Sequence, residues 1–104
     1  MFNKTKRVTR KEFDEVLKNG KVLHGDSIYM RYLNHDDRKF STVVPKKVLN
    51  KAFARNRLKR RINSLLKDVE DKFKNGKYIF FAKKGCEEKT NEEILKDLLN
   101  FTQQ

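Results

Sequence analysis

"LKRRINSLLKDVEDKF", residues 58–73, carries the pattern that decides the fold. Leu58, Ile62, Leu65, Leu66, Val69 and Phe73 recur at the spacing of a single helical face. At roughly 100° per residue they fall within a sector about 100° wide. A long helix with one apolar stripe needs a surface to lie on, and sheet-type runs flank it. Phe40 to Val44 comes before and is ended by Pro45, which has no N–H to give a ladder. Lys77 to Ala82 (KYIFFA) comes after a stop at Asn75-Gly76. Its nearly continuous apolar character predicts a strand covered on both faces. The centre of the chain is therefore a β-helix-β unit.

Working outward, Thr9-Arg10-Lys11-Glu12 reads as a capping box opening a helix over about residues 10–19. Phe13, Val16 and Leu17 follow at helical spacing, with Phe13 and Leu17 on one face, and Asn19-Gly20 gives the stop. Residues 21–24 read as a short extended piece. Ser27 to Leu33 is a two-faced strand, with Ile28, Met30 and Tyr32 on one side and Tyr29, Arg31 and Leu33 on the other. Asn34 to Asp37 is a turn by composition. Thr90-Asn91-Glu92-Glu93 is a second capping box, before a final helix carrying Ile94, Leu95, Leu98, Leu99 and Phe101. The expected fold class is α+β in the order α-β-β-β-α-β-α, with helices on a mixed sheet. Residues 1–104 make a single domain by length.

The charge is as uneven as the hydropathy. Lys plus Arg number 26 against 14 Asp plus Glu, a net charge of +12. Between Arg38 and Lys67 there are eleven bases and no acid. Arg55, Arg57, Lys59, Arg60 and Arg61 crowd the start of the long helix; Arg57, Arg60 and Arg61 point away from its apolar stripe, and Arg55 is expected at the rim. A solvated helix face usually interleaves both signs for i, i+4 pairing, and this one does not. Self-repulsion on that scale calls for an external polyanion, and nucleic acid is the commonest. An anionic membrane is the rival, but it would need an apolar face free for lipid, whereas this face belongs to a sheet. The excess of Arg favours bidentate contacts with phosphate.

A protein-borne active site is not expected. His24 and His35 lack metal-binding spacing, and Asp36-Asp37, Glu87-Glu88 and Glu92-Glu93 are adjacent pairs whose side chains diverge. Cys86, the lone cysteine, follows Gly85 in a loop and reads as incidental; it suits a reducing cytoplasm. The basic N-terminus has no apolar stretch after it, so no signal peptide is expected. No run is long enough to span a bilayer. Among the aromatics, Phe40 and Tyr32 read as core, while Phe13 and Tyr29 are candidates for stacking on unpaired bases.

"PKKVLNKAFARNRLKRRI", residues 45–62, resembles the signature of the bacterial ribonuclease P protein component. That family carries Lys-Lys-Val after a strand, here Lys46-Lys47-Val48. It then carries Arg-Asn-Arg-x-Lys-Arg on a long helix, here Arg55-Asn56-Arg57-Leu58-Lys59-Arg60. "RKEFDEVLKNGK", "KYIFFAKKG" and "TNEEILKDLLNF" match its first helix, later strand and closing helix in the right order. The resemblance implies a fold of the ribosomal protein S5 domain 2-like kind, with a left-handed β-α-β crossover against the general right-handed rule. It implies an accessory subunit of an endoribonuclease whose catalyst is RNA using Mg2+, held mainly by that RNA. The partners implied are the catalytic RNA and the 5′ leader of precursor tRNA, with no membrane and no small-molecule substrate, in the cytoplasm.

Residue by residue, Arg55, Asn56, Arg57, Lys59 and Arg60, with Arg61 as an extra base, are expected to face the catalytic RNA. Phe13, Leu17, Tyr29, Arg31, Lys46 and Lys47 are expected to line a leader cleft between the first helix and the sheet. Leu17 stands where a second aromatic is common. Arg31 replaces an apolar or aromatic residue, Pro45 stands where Ser is usual, and Asn63 where a base is frequent. A structural RNA-binding protein, such as a ribosomal protein, is the alternative; a DNA-binding module is weaker, for want of dimer heptads or helix-turn-helix spacing. Neutralising about five to eight phosphates would give a slope of log K against log salt of about −4 to −7.

Overall fold

The two capping boxes form as the sequence predicts, and each fixes where a helix begins. The Thr9 hydroxyl accepts from the backbone N–H of Glu12 while the Glu12 carboxylate accepts from that of Thr9, opening α1 (Arg10–Asn19). Thr90 and Glu93 repeat the arrangement at α3 (Asn91–Phe101). Between them lie β1 (Lys21–His24), β2 (Ile28–Asn34), β3 (Arg38–Val43), α2 (Ala52–Val69) and β4 (Gly76–Ala82). This computed structural model describes residues 7–103. The basic stretch of residues 1–6, where no signal peptide is expected, and Gln104 lie outside the described residues.

The strands form one mixed sheet in the order β1-β2-β4-β3. β2 pairs antiparallel with β1 and with β4, and β3 runs parallel to β4. A parallel neighbour reached through α2 is what a β-helix-β unit requires. β4 is buried along its whole length, as its unbroken apolar run demands. Its residues alternate between two cores. Tyr78, Phe80 and Ala82 join Ile28, Met30, Phe40, Leu58, Ile62 and Leu98 beneath α2 and α3. Ile79 and Phe81 join Val16 beneath α1 on the opposite face.

The structure refines three readings. α2 stops at Val69 and a short 3-10 turn (Glu70–Lys72) follows, rather than the helix continuing to Asn75. The tighter turn swings Phe73 in to pack edge-on against Phe40, Tyr78 and Phe80, at 5.1–5.8 Å between ring centroids. In α1, where Phe13, Val16 and Leu17 share helical spacing, Val16 is fully buried, Phe13 is half-buried against the same small core and Leu17 is 38% exposed. Cys86, read as chemically incidental, opens a short 3-10 turn (Cys86–Glu88) and is wholly buried in the larger core, where burial pushes its thiol up to about 11, against the opposing pull of Arg61. It stays protonated and inert.

Candidate nucleic-acid interface

α2 begins differently from its two neighbours. Its first turn is preceded by Lys51, which makes no side-chain capping bond, and holds no acid. Arg57, Lys59 and Arg60 project from it exposed, and among the described residues they make no ion pair. Asn56 is exposed beside them. A rigid helix keeps these cations in fixed register, which suits gripping phosphates along a folded backbone.

The other two arginines of that cluster are occupied by the fold. Arg55 Nη1 donates to the Leu49 and Asn50 carbonyls at 3.0 and 2.7 Å, holding the chain that enters α2. This is the rim position expected for it. Arg61 departs from expectation: it is only half-exposed and reaches sideways to the start of α3. Its Nε donates to Asn91 Oδ1 at 2.6 Å, and its Nη2 donates to the Lys89 carbonyl. Asn63, where the resemblance leads one to miss a base, faces inward and its Oδ1 accepts from the Thr42 hydroxyl of β3 at 2.6 Å. A base there would be buried, so the outer face loses nothing by its absence.

A second surface lies between α1 and the sheet. Tyr29 stacks on Phe81 with centroids 4.8 Å apart and planes 9° apart, and Phe13 meets Phe81 edge-on at 6.3 Å. His24 tilts against Tyr29 at 5.5 Å. Phe13 and Tyr29 are half-buried, each leaving part of its ring open. Arg31 sits on the same strand face; its Nη1 donates to the Leu17 carbonyl at the end of α1, at 3.1 Å. That uses one of five guanidinium donors. Lys46 and Lys47 are exposed in the turn after β3, where the Val48 and Leu49 N–H groups return to the Pro45 carbonyl. Lys47 lines a groove of about 430 Å³ together with Tyr29, Pro45, Val48, Lys83 and Lys84. The aromatic group thus opens onto a basic edge.

Deeper in this cleft the cations are already paired. Lys39 meets Glu12 at 3.0 Å, and Lys77 meets Glu12 at 3.5 Å and Glu15 at 2.9 Å. Partial burial opposes charge on Glu12, but the Thr9 backbone N–H, the Lys39 ammonium and the Thr9 hydroxyl outweigh it, and the carboxyl falls to about 2. Lys77 is held protonated above its ordinary value by its bond to Glu15, against the cost of burial. These pairs clamp α1 to the sheet and leave no net charge for a ligand at that spot.

Sequence reasoning missed Phe81, the ring shared by Phe13 and Tyr29, because KYIFFA is apolar throughout and periodicity does not rank its members. It also missed Asp97. This buried α3 carboxylate accepts from the backbone N–H groups of Asp26, Ser27 and Ile28 at 3.1, 2.6 and 3.3 Å. A Cβ built on Gly25 would stand 2.5 Å from its Cγ, so only glycine fits there. Asp97 thereby sets the start of β2, the strand that carries Tyr29 and Arg31.

Among the described residues no group of three or more His, Cys, Asp or Glu could hold a metal ion. No described helix is long and apolar enough to cross a membrane.

A helix whose N-terminal half exposes cations without an acid lies on one side of a mixed sheet, an aromatic cleft with a basic edge lies on the other, and together they define a small basic α+β protein. Residues 2–104 match the family described as Ribonuclease P. The chain is 37% identical over 75 residues to the ribonuclease P protein component of Nitratiruptor sp., covering 72% of this chain and 68% of that one. It is 31% identical over 93 residues to that of Bacillus cereus strain Q1, covering 86% and 80%. In fold it is similar to the RNase P protein from Thermotoga maritima, with a TM-score of 0.80 at 23% identity over 92% of this chain and 94% of that one. The Staphylococcus aureus RNase P protein gives 0.75 at 21% identity, over 88% and 86%. The chain belongs to the ribonuclease P family, as its protein component. Its function is that of the protein subunit of ribonuclease P, in tRNA processing.

Proposed function

We propose that the two surfaces divide the work of the subunit. The outer face of α2, through Asn56, Arg57, Lys59 and Arg60, grips the catalytic RNA. The cleft between α1 and the sheet receives the single-stranded 5′ leader of precursor tRNA, with Phe13 and Tyr29 stacking on bases and Arg31, Lys46 and Lys47 meeting phosphates. Arg55 and Arg61 serve mainly by holding α2 in place. The RNA performs the cleavage, with Mg2+ bound to it, in the cytoplasm. The observation that carries this reading is that Arg57, Lys59 and Arg60 of α2 make no ion pair among the described residues, whereas Lys39 and Lys77 beneath α1 are paired. The cleft adds open aromatic area beside a basic edge, the combination that holds unpaired nucleic acid.

The test is cleavage of precursor tRNA by the cognate catalytic RNA at limiting magnesium. Wild type stimulates cleavage and favours precursor over mature tRNA. Arg57→Ala weakens assembly with the RNA but keeps leader discrimination once saturated, and Phe13→Ala does the reverse. Absence of stimulation by wild type would sink the proposal.

A further inference from the structure

Phe53 stands apart from the other aromatic residues described. It lies in the first turn of α2, five positions before the apolar stripe begins at Leu58, and is 61% exposed. The neighbours of its ring are cations: Lys51 Nζ and Arg57 Cζ each lie 5.9 Å from the ring centroid. No acid occurs in the sequence between Arg38 and Lys67. The other exposed large apolar residues among those described, Leu17 and Val22, belong to α1 and β1, away from this helix. An isolated ring between two cations that make no ion pair among the described residues suits few partners. A lipid surface would need a group of bulky apolar side chains. An apolar protein pocket would have to desolvate two cations or supply acids for them. A nucleotide supplies a flat π face and negative charge together.

We infer that Phe53 is a stacking platform for one unpaired base of the catalytic RNA, with Lys51 and Arg57 taking the phosphates that flank it. The inference rests on the reading of α2 as the catalytic-RNA surface, and adds to it a contact that is not ionic. Phosphate contacts along the helix fix position; the ring requires that one nucleotide at its N-terminal end be unpaired and turned outward.

The chain contains no tryptophan, so Phe53→Trp introduces a single indole reporter at the site. Its emission is expected to be quenched on titration with the catalytic RNA, at wild-type affinity. Phe53→Ala and Phe53→Leu are expected to bind about tenfold or more weaker, the usual effect of losing one stacked base, with melting temperature and salt slope unchanged. Arg57→Ala, by contrast, flattens the slope by about 1. Wild-type binding that survives in both Phe53→Ala and Phe53→Leu overturns the stacking site while sparing the reading of α2. Full affinity in Phe53→Leu alone makes the ring a plain apolar contact and overturns it too. Indole emission from the Phe53→Trp variant that shifts with protein concentration in the absence of RNA makes this a contact between copies of the chain, and overturns it likewise. Failure of wild type to bind the RNA removes both inferences.

Discussion

On the sheet face beneath α1, Lys39 and Lys77 lie within 3.5 Å of Glu12 or Glu15; on the outer face of α2, Arg57, Lys59 and Arg60 meet no carboxylate among the described residues. Both regions are dense in cations, and both belong to one domain of net charge +12. The difference is what the fold does with the charge. Beneath α1 the pairs are partly buried and bind a helix to its sheet, so they serve structure. On α2 the charge stays in water at full strength, and a helix end that gains nothing from a cap or an acid carries it. Counting bases points to the start of α2; asking which of them the fold leaves unpaired narrows the candidate RNA surface to Arg57, Lys59 and Arg60.

The contrast can be broken at its structural end first. Asp97→Ala leaves three backbone N–H groups without their charged acceptor in a place where water is scarce. It should cost about 3 kcal/mol or more in denaturant unfolding, while the salt slope for RNA binding of the folded fraction stays as in wild type. A loss below about 1 kcal/mol would mean that the start of β2 is held by something else.

Lys51→Asp sharpens it more gently. The backbone at Lys51 is extended, as an N-cap requires, so aspartate can supply both the missing cap and the missing first-turn acid. The variant should be more stable by about 0.5–1 kcal/mol and bind RNA more weakly, with a flatter salt slope. A gain in stability without a loss in binding would show that this end of α2 is not at the interface.

The same contrast marks how much was legible beforehand. Both capping boxes were readable because the reciprocal bonds span only three residues, and α2 because its stripe repeats over several turns. The order of elements followed from that. The strand order β1-β2-β4-β3 did not, since nothing local tells β4 to insert beside β2. Arg60 and Arg61 look alike in sequence, yet one turns to solvent and the other to the Lys89 carbonyl, because α3 packs against only one flank of α2. Asp97 and Gly25 act across a contact between the two ends of the chain, beyond any window of periodicity. Phe53 left a readable trace that went unused, a large aromatic inside a run of cations and off the apolar stripe.

The most direct measurement is the slope of log K against log salt for the catalytic RNA, taken for three proteins. Wild type should give about −4 to −7. Replacing Arg57, Lys59 and Arg60 together by Ala should flatten the slope by about 2 to 3 and leave unfolding stability within about 0.5 kcal/mol. Lys39→Gln, which removes a cation already paired with Glu12, should leave the slope at the wild-type value. Equal flattening in both variants, or none in the triple variant, would contradict the claim that RNA is met by the charge the fold leaves unpaired.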